Sequence, residues 1–146
     1  MFKPTQIVIH HTASADGAGL DRDELELMHK QRGFTEVGYH FIIDKVEGFY
    51  TAIVGRPLDL MGSHAKGANQ NSIGVAFVGN FDLAAPHPLM IDEGLRLVLI
   101  PLVKQLKISP SAIFGHREVG TTPTVCPGKF FPLDDVKARI DRNCVS

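Results

Sequence analysis

The run Gly115-His116-Arg117-Glu118-Val119, followed by Cys126-Pro127-Gly128, sets an imidazole and a thiol on one Gly/Thr/Pro-rich loop, with nine residues between them. Two borderline-soft donors this close in the chain suggest a metal site. They are half of a tetrahedral zinc shell, and a catalytic zinc takes a third protein ligand and keeps its fourth position open. That ligand must come from elsewhere in the chain. The best donor is the apolar run Ile7-Val8-Ile9 ending in His10-His11-Thr12, which reads as a buried strand delivering an imidazole at its rigid tip. Alternation does not choose between His10 and His11, because Ile7, Val8 and Ile9 make both faces apolar. A disulfide between Cys126 and Cys144, the only cysteines, is the competing use of the thiol, although two thiols make a weak disulfide framework.

The elements that must position these groups alternate in type. A first strand is expected over 5–11, then an Asp/Ser/Gly-rich loop to Leu20. Asp21 can cap a helix over 22–32, with Glu24 three residues on and Gly33 as its stop. Strands over 39–43 and 48–54 are joined as a hairpin through Lys45-Val46-Glu47-Gly48. Residues 57–70 read as a Gly-rich loop. Ser72 to Val78 reads as a central strand, apolar on both faces as in a sheet covered by helices. A helix over 88–106 carries Leu95, Val98, Leu99, Leu102 and Leu106 at helical spacing. Pro101 should remove its bond to Leu97 and kink it. A short strand over 112–115 enters the His116 loop, and a final helix over 133–142 has Asp134 and Asp135 in its first turn, where the dipole favours them. Strands interleaved with helices make the fold class α/β, a single domain with a central mixed β-sheet flanked by helices.

Composition agrees with one globular domain over residues 1–146, with no linker to a second module. The chain is 44% hydrophobic and 21% charged, ordinary values for a folded protein. A net charge of −1 provides no basic footprint for nucleic acid. No apolar stretch approaches the roughly 18 residues of a membrane span, and Met1-Phe2-Lys3-Pro4 runs into the first strand with no signal-peptide pattern. Cytoplasmic synthesis is therefore expected. With no heptad pattern or exposed apolar stripe, a monomer is the expected state.

The order of motifs carries a resemblance. The strand ending in His10, then Val37-Gly38-Tyr39-His40-Phe41-Ile42-Ile43, Gly62-Ser63-His64-Ala65-Lys66-Gly67, Asn71-Ser72-Ile73-Gly74-Val75, and finally His116-Arg117-Glu118 with Cys126-Pro127-Gly128 resembles the zinc N-acetylmuramoyl-L-alanine amidases. Peptidoglycan recognition proteins share that fold, and the likeness is closest to short phage endolysins. It covers about residues 5 to 140.

The resemblance implies His10, His116 and Cys126 as ligands of one Zn2+ per chain, with His11 in the family's variable slot. It implies a zinc-bound water as nucleophile, attacking the amide between the lactyl group of N-acetylmuramic acid and L-alanine of the stem peptide. Tyr39 and Thr124 stand at the family's catalytic positions. Thr124 occupies a slot where the family places Lys or Thr, so its contribution here is a hydroxyl hydrogen bond. His64, Lys66, Asn69 and Asn71 map to the groove that binds muropeptide. Glu118 is read as orienting Arg117 or a ligand's neighbour rather than as a base. His29, His40 and His87 are read as helix-surface, strand and loop residues. An endolysin would be made in the host cytoplasm and act on the wall after release. A muropeptide-recognition module without cleavage is the alternative, disfavoured because binding-only relatives commonly replace the thiol that Cys126 supplies. Regulation of phage RNA polymerase ranks third, since little chain precedes the first strand.

Overall fold

The structure, a computed structural model, describes residues 2–13 and 38–144. The helix expected over 22–32, and His29 with it, lies outside the described residues. Five strands form one mixed sheet: β1 (Gln6–His11), β2 (Phe41–Val46), β3 (Phe49–Val54), β4 (Ser72–Phe77) and β5 (Ile113–Gly115), in the order β3-β2-β4-β1-β5. β4 is central, as its run of apolar residues on both faces predicts. It pairs in parallel with β1 and β2, and β1 pairs in parallel with β5. The β2–β3 hairpin is antiparallel. Its turn is Glu47-Gly48, both at positive φ (51° and 87°), the backbone a two-residue hairpin needs to match strand twist.

Helices cover one face of this sheet. Ile7 and Ile9 of β1 and Ile73, Val75 and Phe77 of β4 pack into one core with Met90, Ile91, Leu95, Val98, Leu99, Val136 and Ile140. Val8 turns the other way, onto Ala65 and Ala68 of the loop that precedes β4. His10, two residues on, shares the face of Val8. Among the described residues the sheet thus has a face covered by helices and a face covered by the loop before β4, and the candidate chemistry sits on the latter.

The helix expected over 88–106 is one rod in three parts: α1 (Pro88–Gly94), a π segment (Leu95–Leu99) and α2 (Ile100–Leu106). Upstream of Pro101 the helix widens, with the Ile100 amide donating to the Leu95 carbonyl. A ring without an N–H cannot keep the α ladder, and the wider turn absorbs the missing donor. Lys107 ends α2 in the left-handed region. α3 (Leu133–Asn143) buries Leu133, Val136 and Ile140 and carries Asp134 and Asp135 in its first turn. No helix of the described residues is long and apolar enough to cross a membrane.

Candidate metal centre

His10, His116 and Cys126 converge on the loop face, their ligand atoms all within 4.8 Å of one another. Each arrives on a different support. β1 brings His10 to the penultimate position of a strand hydrogen-bonded on both sides. β5 passes directly into a 3-10 turn, His116–Glu118, which starts with the second candidate donor. The following loop returns Cys126, and its course is tied to the turn by two bonds from one residue. The Arg117 amide donates to the Cys126 carbonyl at 2.8 Å, and its guanidinium to the Gly128 carbonyl at 3.1 Å.

The spacing fits a tetrahedral ion. Nδ1 of His10 lies 3.7 Å from Sγ of Cys126. Zinc bonds of about 2.0–2.1 Å to nitrogen and about 2.3 Å to sulfur, at a tetrahedral angle, require an N···S edge of about 3.6 Å. A donor set of two imidazoles and one thiol could hold a metal ion with one position left open.

Alternation left His10 and His11 equivalent, and the sheet separates them. The His11 ring lies 6.0 Å from Phe81, a residue of the helix-face core, and its Nδ1 accepts the Phe81 amide at 3.0 Å. Its backbone serves the metal site instead: the His11 amide donates to Cys126 Sγ at 3.3 Å. Burial pushes the Cys126 thiol up to about 12, with Asp82 acting in the same direction and the His11 amide and Arg117 opposing. Without a cation the thiol therefore keeps its proton at neutral pH, and a metal must displace it. Burial lowers His116, which keeps its ring neutral and its lone pair available.

A cavity of about 260 Å³ opens over these donors, lined by Tyr39, His64, His116, Thr124 and Cys126 among others. Tyr39 is only 8% exposed, its ring tilted against His10 at 5.1 Å. Thr124 faces the cavity while its Oγ1 accepts the Cys126 amide at 3.2 Å, so the hydroxyl also shapes the ligand loop. The residues expected to meet muropeptide are spread out. His64 lines the cavity but is buried, its Nδ1 placed 2.9 Å from Nε2 of His10. Lys66 is exposed beyond the cavity lining. Asn69 turns its amide oxygen inward, accepting from the His64 and Ala65 amides at 2.9 and 2.8 Å. Asn71 lies at the start of β4, where its side chain meets Gln6 at 3.4 Å.

Other expectations resolve equally clearly. Cys126 and Cys144 are both free. Glu118 does not pair with Arg117: Lys137 of α3 holds its carboxylate at 2.7 Å, and Oε1 accepts the Gly115 amide at 2.9 Å. It fixes the exit from β5 just before the ligand. His40 is a buried cross-brace, with Nδ1 accepting the Gly74 amide at 3.0 Å and Nε2 donating to the Leu60 carbonyl at 2.7 Å. His87 caps α1. Sequence reasoning missed Ser72, whose hydroxyl lies 3.3 Å from Nε2 of His64. The available signal was the small stripe Ser72, Gly74, Ala76 on one face of an otherwise bulky strand, which implies that something large lies across it.

A family model described as N-acetylmuramoyl-L-alanine amidase matches residues 2–129. An endolysin of Enterobacteria phage T3 is 36% identical over 134 residues, covering 86% of this chain and 84% of that protein. A peptidoglycan-recognition protein of Drosophila simulans is 33% identical over 137 residues, covering 90% of this chain and 71% of that protein. Among solved structures, the N-acetylmuramoyl-L-alanine amidase LysC from Clostridium intestinale URNW superposes with a TM-score of 0.82 at 34% identity, over 96% of this chain and 87% of that one.

Proposed function

Because the chain belongs to the N-acetylmuramoyl-L-alanine amidase family, and the matched region contains His10, His116 and Cys126, we propose that it is a zinc-dependent peptidoglycan amidase of the endolysin type. Its substrate is the amide between the lactyl group of N-acetylmuramic acid and L-alanine. The observation that carries this reading is the convergence of the three donors within 4.8 Å beneath an open cavity.

His10, His116 and Cys126 would hold the ion, which when bound supplies Lewis acidity, making water more acidic and a carbonyl more electrophilic. The remaining work falls to the chain. Tyr39 lines the cavity beside His10, and its hydroxyl would serve as a donor to the oxygen of the carbonyl that becomes tetrahedral. Thr124 accepts from the Cys126 amide through its oxygen and keeps its own O–H to donate into the cavity. Water adds to the lactyl carbonyl carbon, the C–N bond breaks, and the leaving nitrogen takes a proton. The products are the lactyl carboxylate and a stem peptide with a free L-alanine amine. Lys66, exposed at the loop-face rim, suits a stem-peptide carboxylate. Asn69 and Asn71 act from behind, by shaping the loop that bears His64. A recognition-only module is disfavoured, because the thiol is in place.

The test is metal content and release of L-alanine amino groups from peptidoglycan, for the wild type and Cys126→Ser. One zinc per wild-type chain, with both zinc and release lost in the variant, is the expected result. Wild type that pellets with sacculi yet carries no zinc and releases no amine would overturn the proposal.

A further inference from the structure

His64 sits in a chain of hydrogen bonds whose direction is fixed at one end. Ser72 Oγ lies 2.6 Å from the Ala68 carbonyl, which can only accept, so the single hydroxyl proton is spent there. The other contact of Ser72, with His64 Nε2 at 3.3 Å, must then be one in which the serine accepts and the ring donates. A neutral His64 with its proton on Nε2 has a bare Nδ1, which accepts from Nε2 of His10 at 2.9 Å. His10 therefore keeps its proton on Nε2, and its Nδ1 lone pair is the one left facing Cys126 Sγ, 3.7 Å away.

The surrounding chain is built around this ring. A Cβ on Gly74 would stand 2.5 Å from His64 Cγ, and one on Gly62 would stand 2.6 Å from its Cδ2. Two glycines on separate segments thus leave a slot the imidazole fills. Asn69 holds the adjoining backbone through the His64 and Ala65 amides. The residue is buried, with only its edge on the cavity.

We infer that His64 is a positioning residue for the metal ligand His10, selecting through the Ala68-Ser72-His64 chain the tautomer and ring orientation that present Nδ1 to the ion. It does this rather than hold substrate. The inference rests on the amidase reading only in taking His10 as a zinc ligand. Partners of this kind orient ligand imidazoles, and their loss typically weakens metal binding by about 10- to 100-fold.

The experiment compares His64→Asn with His64→Leu, which have nearly the same shape but differ in one acceptor. The asparagine oxygen takes the place of Nδ1, and leucine offers a methyl there. Zinc affinity is measured by competition with a chelator, beside thermal unfolding of each metal-free protein. His64→Leu is expected to bind zinc about 10- to 100-fold more weakly and His64→Asn to stay within about threefold of wild type, although both leave the same gap in the slot. Equal affinities for the two variants, whether both normal or both weak, would overturn the inference. If His64→Leu does not fold, Ser72→Ala decides: it frees Nε2 of His64 to lose its proton preference, and unchanged zinc affinity there refutes the chain. A wild type that takes up no zinc at all refutes the zinc reading itself, a different outcome from a wild type that binds zinc and variants that match it.

Discussion

Gly74→Ala is the sharpest perturbation the structure offers, because the residue's backbone has no need of glycine and only its lack of a side chain matters. Its place in the middle of β4 would by itself favour alanine, since glycine inside a strand costs roughly 0.5–1 kcal/mol relative to alanine. The added methyl, however, would lie 2.5, 2.7 and 2.8 Å from Cγ, Cδ2 and Nδ1 of His64. Carbon contacts are optimal at about 3.5–4.0 Å, so ring and strand must separate by about 1 Å. The ring has little retreat, being wedged also against Gly62. Overpacking of this kind costs about 1–3 kcal/mol, which after the backbone gain leaves a net loss of up to about 2.5 kcal/mol, or up to about 8 °C in Tm for a chain of this size. Thermal unfolding in EDTA measures it, and chelator competition should show weaker zinc binding as the 2.9 Å bond to His10 stretches. The decisive comparison is a double-mutant cycle with His64→Ala. In that background the methyl has room, so the penalty should vanish or reverse, a coupling of about 1–3 kcal/mol. A penalty of the same size in both backgrounds would refute the slot argument.

Two further outcomes follow from the same geometry. Tyr39→Phe should keep full zinc occupancy and lose about 100- to 1,000-fold in kcat, the cost of deleting one donor aimed at a developing oxyanion; a variant with wild-type kcat on peptidoglycan would remove Tyr39 from the reaction. The metal-free protein should lose stability on acidification. Burial holds His64 down to about 3, against 6.5 for a free imidazole. The unfolded chain therefore binds this proton first as pH falls, so the stabilisation is complete above pH 6.5 and declines below it. His64 alone should remove about 2 kcal/mol between pH 6.5 and about pH 5, at about 1.4 kcal/mol per pH unit, and His40, lowered chiefly by burial, adds in the same direction. Urea unfolding in EDTA across this range checks it, and a flat or rising stability would contradict the neutral burial of these rings.

How legible the molecule was in its residues differs from part to part. The sheet's strands and the two donors of the 116–126 loop could be read from apolar runs and residue types, because those signals are local. The choice of His10 over His11 could not. Ile7, Val8 and Ile9 are buried on both faces, and only the registers Val8 with Gly74 and His10 with Ala76 show which face carries helices and which the loop. Its own residue type showed His64 only as a polar loop residue, and the resemblance placed it in the muropeptide groove, not beside His10. Its inward turn depends on Ser72 and Gly74 lying bare across the same face of β4, and a loop has no periodicity from which to read that side. The widening at Leu95–Leu99 had its cause in view at Pro101, whose missing N–H interrupts the α ladder, but residue types alone do not say that a wider turn takes up the interruption.

The treatment of Glu118 shows what the donor set is arranged to do. The local run His116-Arg117-Glu118 places a carboxylate two residues from a ligand, and carboxylates bind zinc readily. Had it entered the cluster, two anionic donors would cancel the charge of a dication. Lewis acidity toward a fourth, exchangeable partner would fall accordingly. The fold turns it away: the 3-10 turn directs the side chain back to the Gly115 amide, and Lys137, presented by α3, neutralises it at 2.7 and 3.0 Å. Arg117 donates to the Gly128 carbonyl, and its charge adds to that of Lys137 in holding Glu118 ionised. Among the described residues, the candidate site keeps one thiol and two imidazoles, and the thiol, on giving up its proton, would compensate half of a dication's charge. Residual positive charge at the mouth of an open site is what an amide oxygen gaining negative charge would meet. The carboxylate's exclusion is thus as much a part of the site's chemistry as the presence of Cys126.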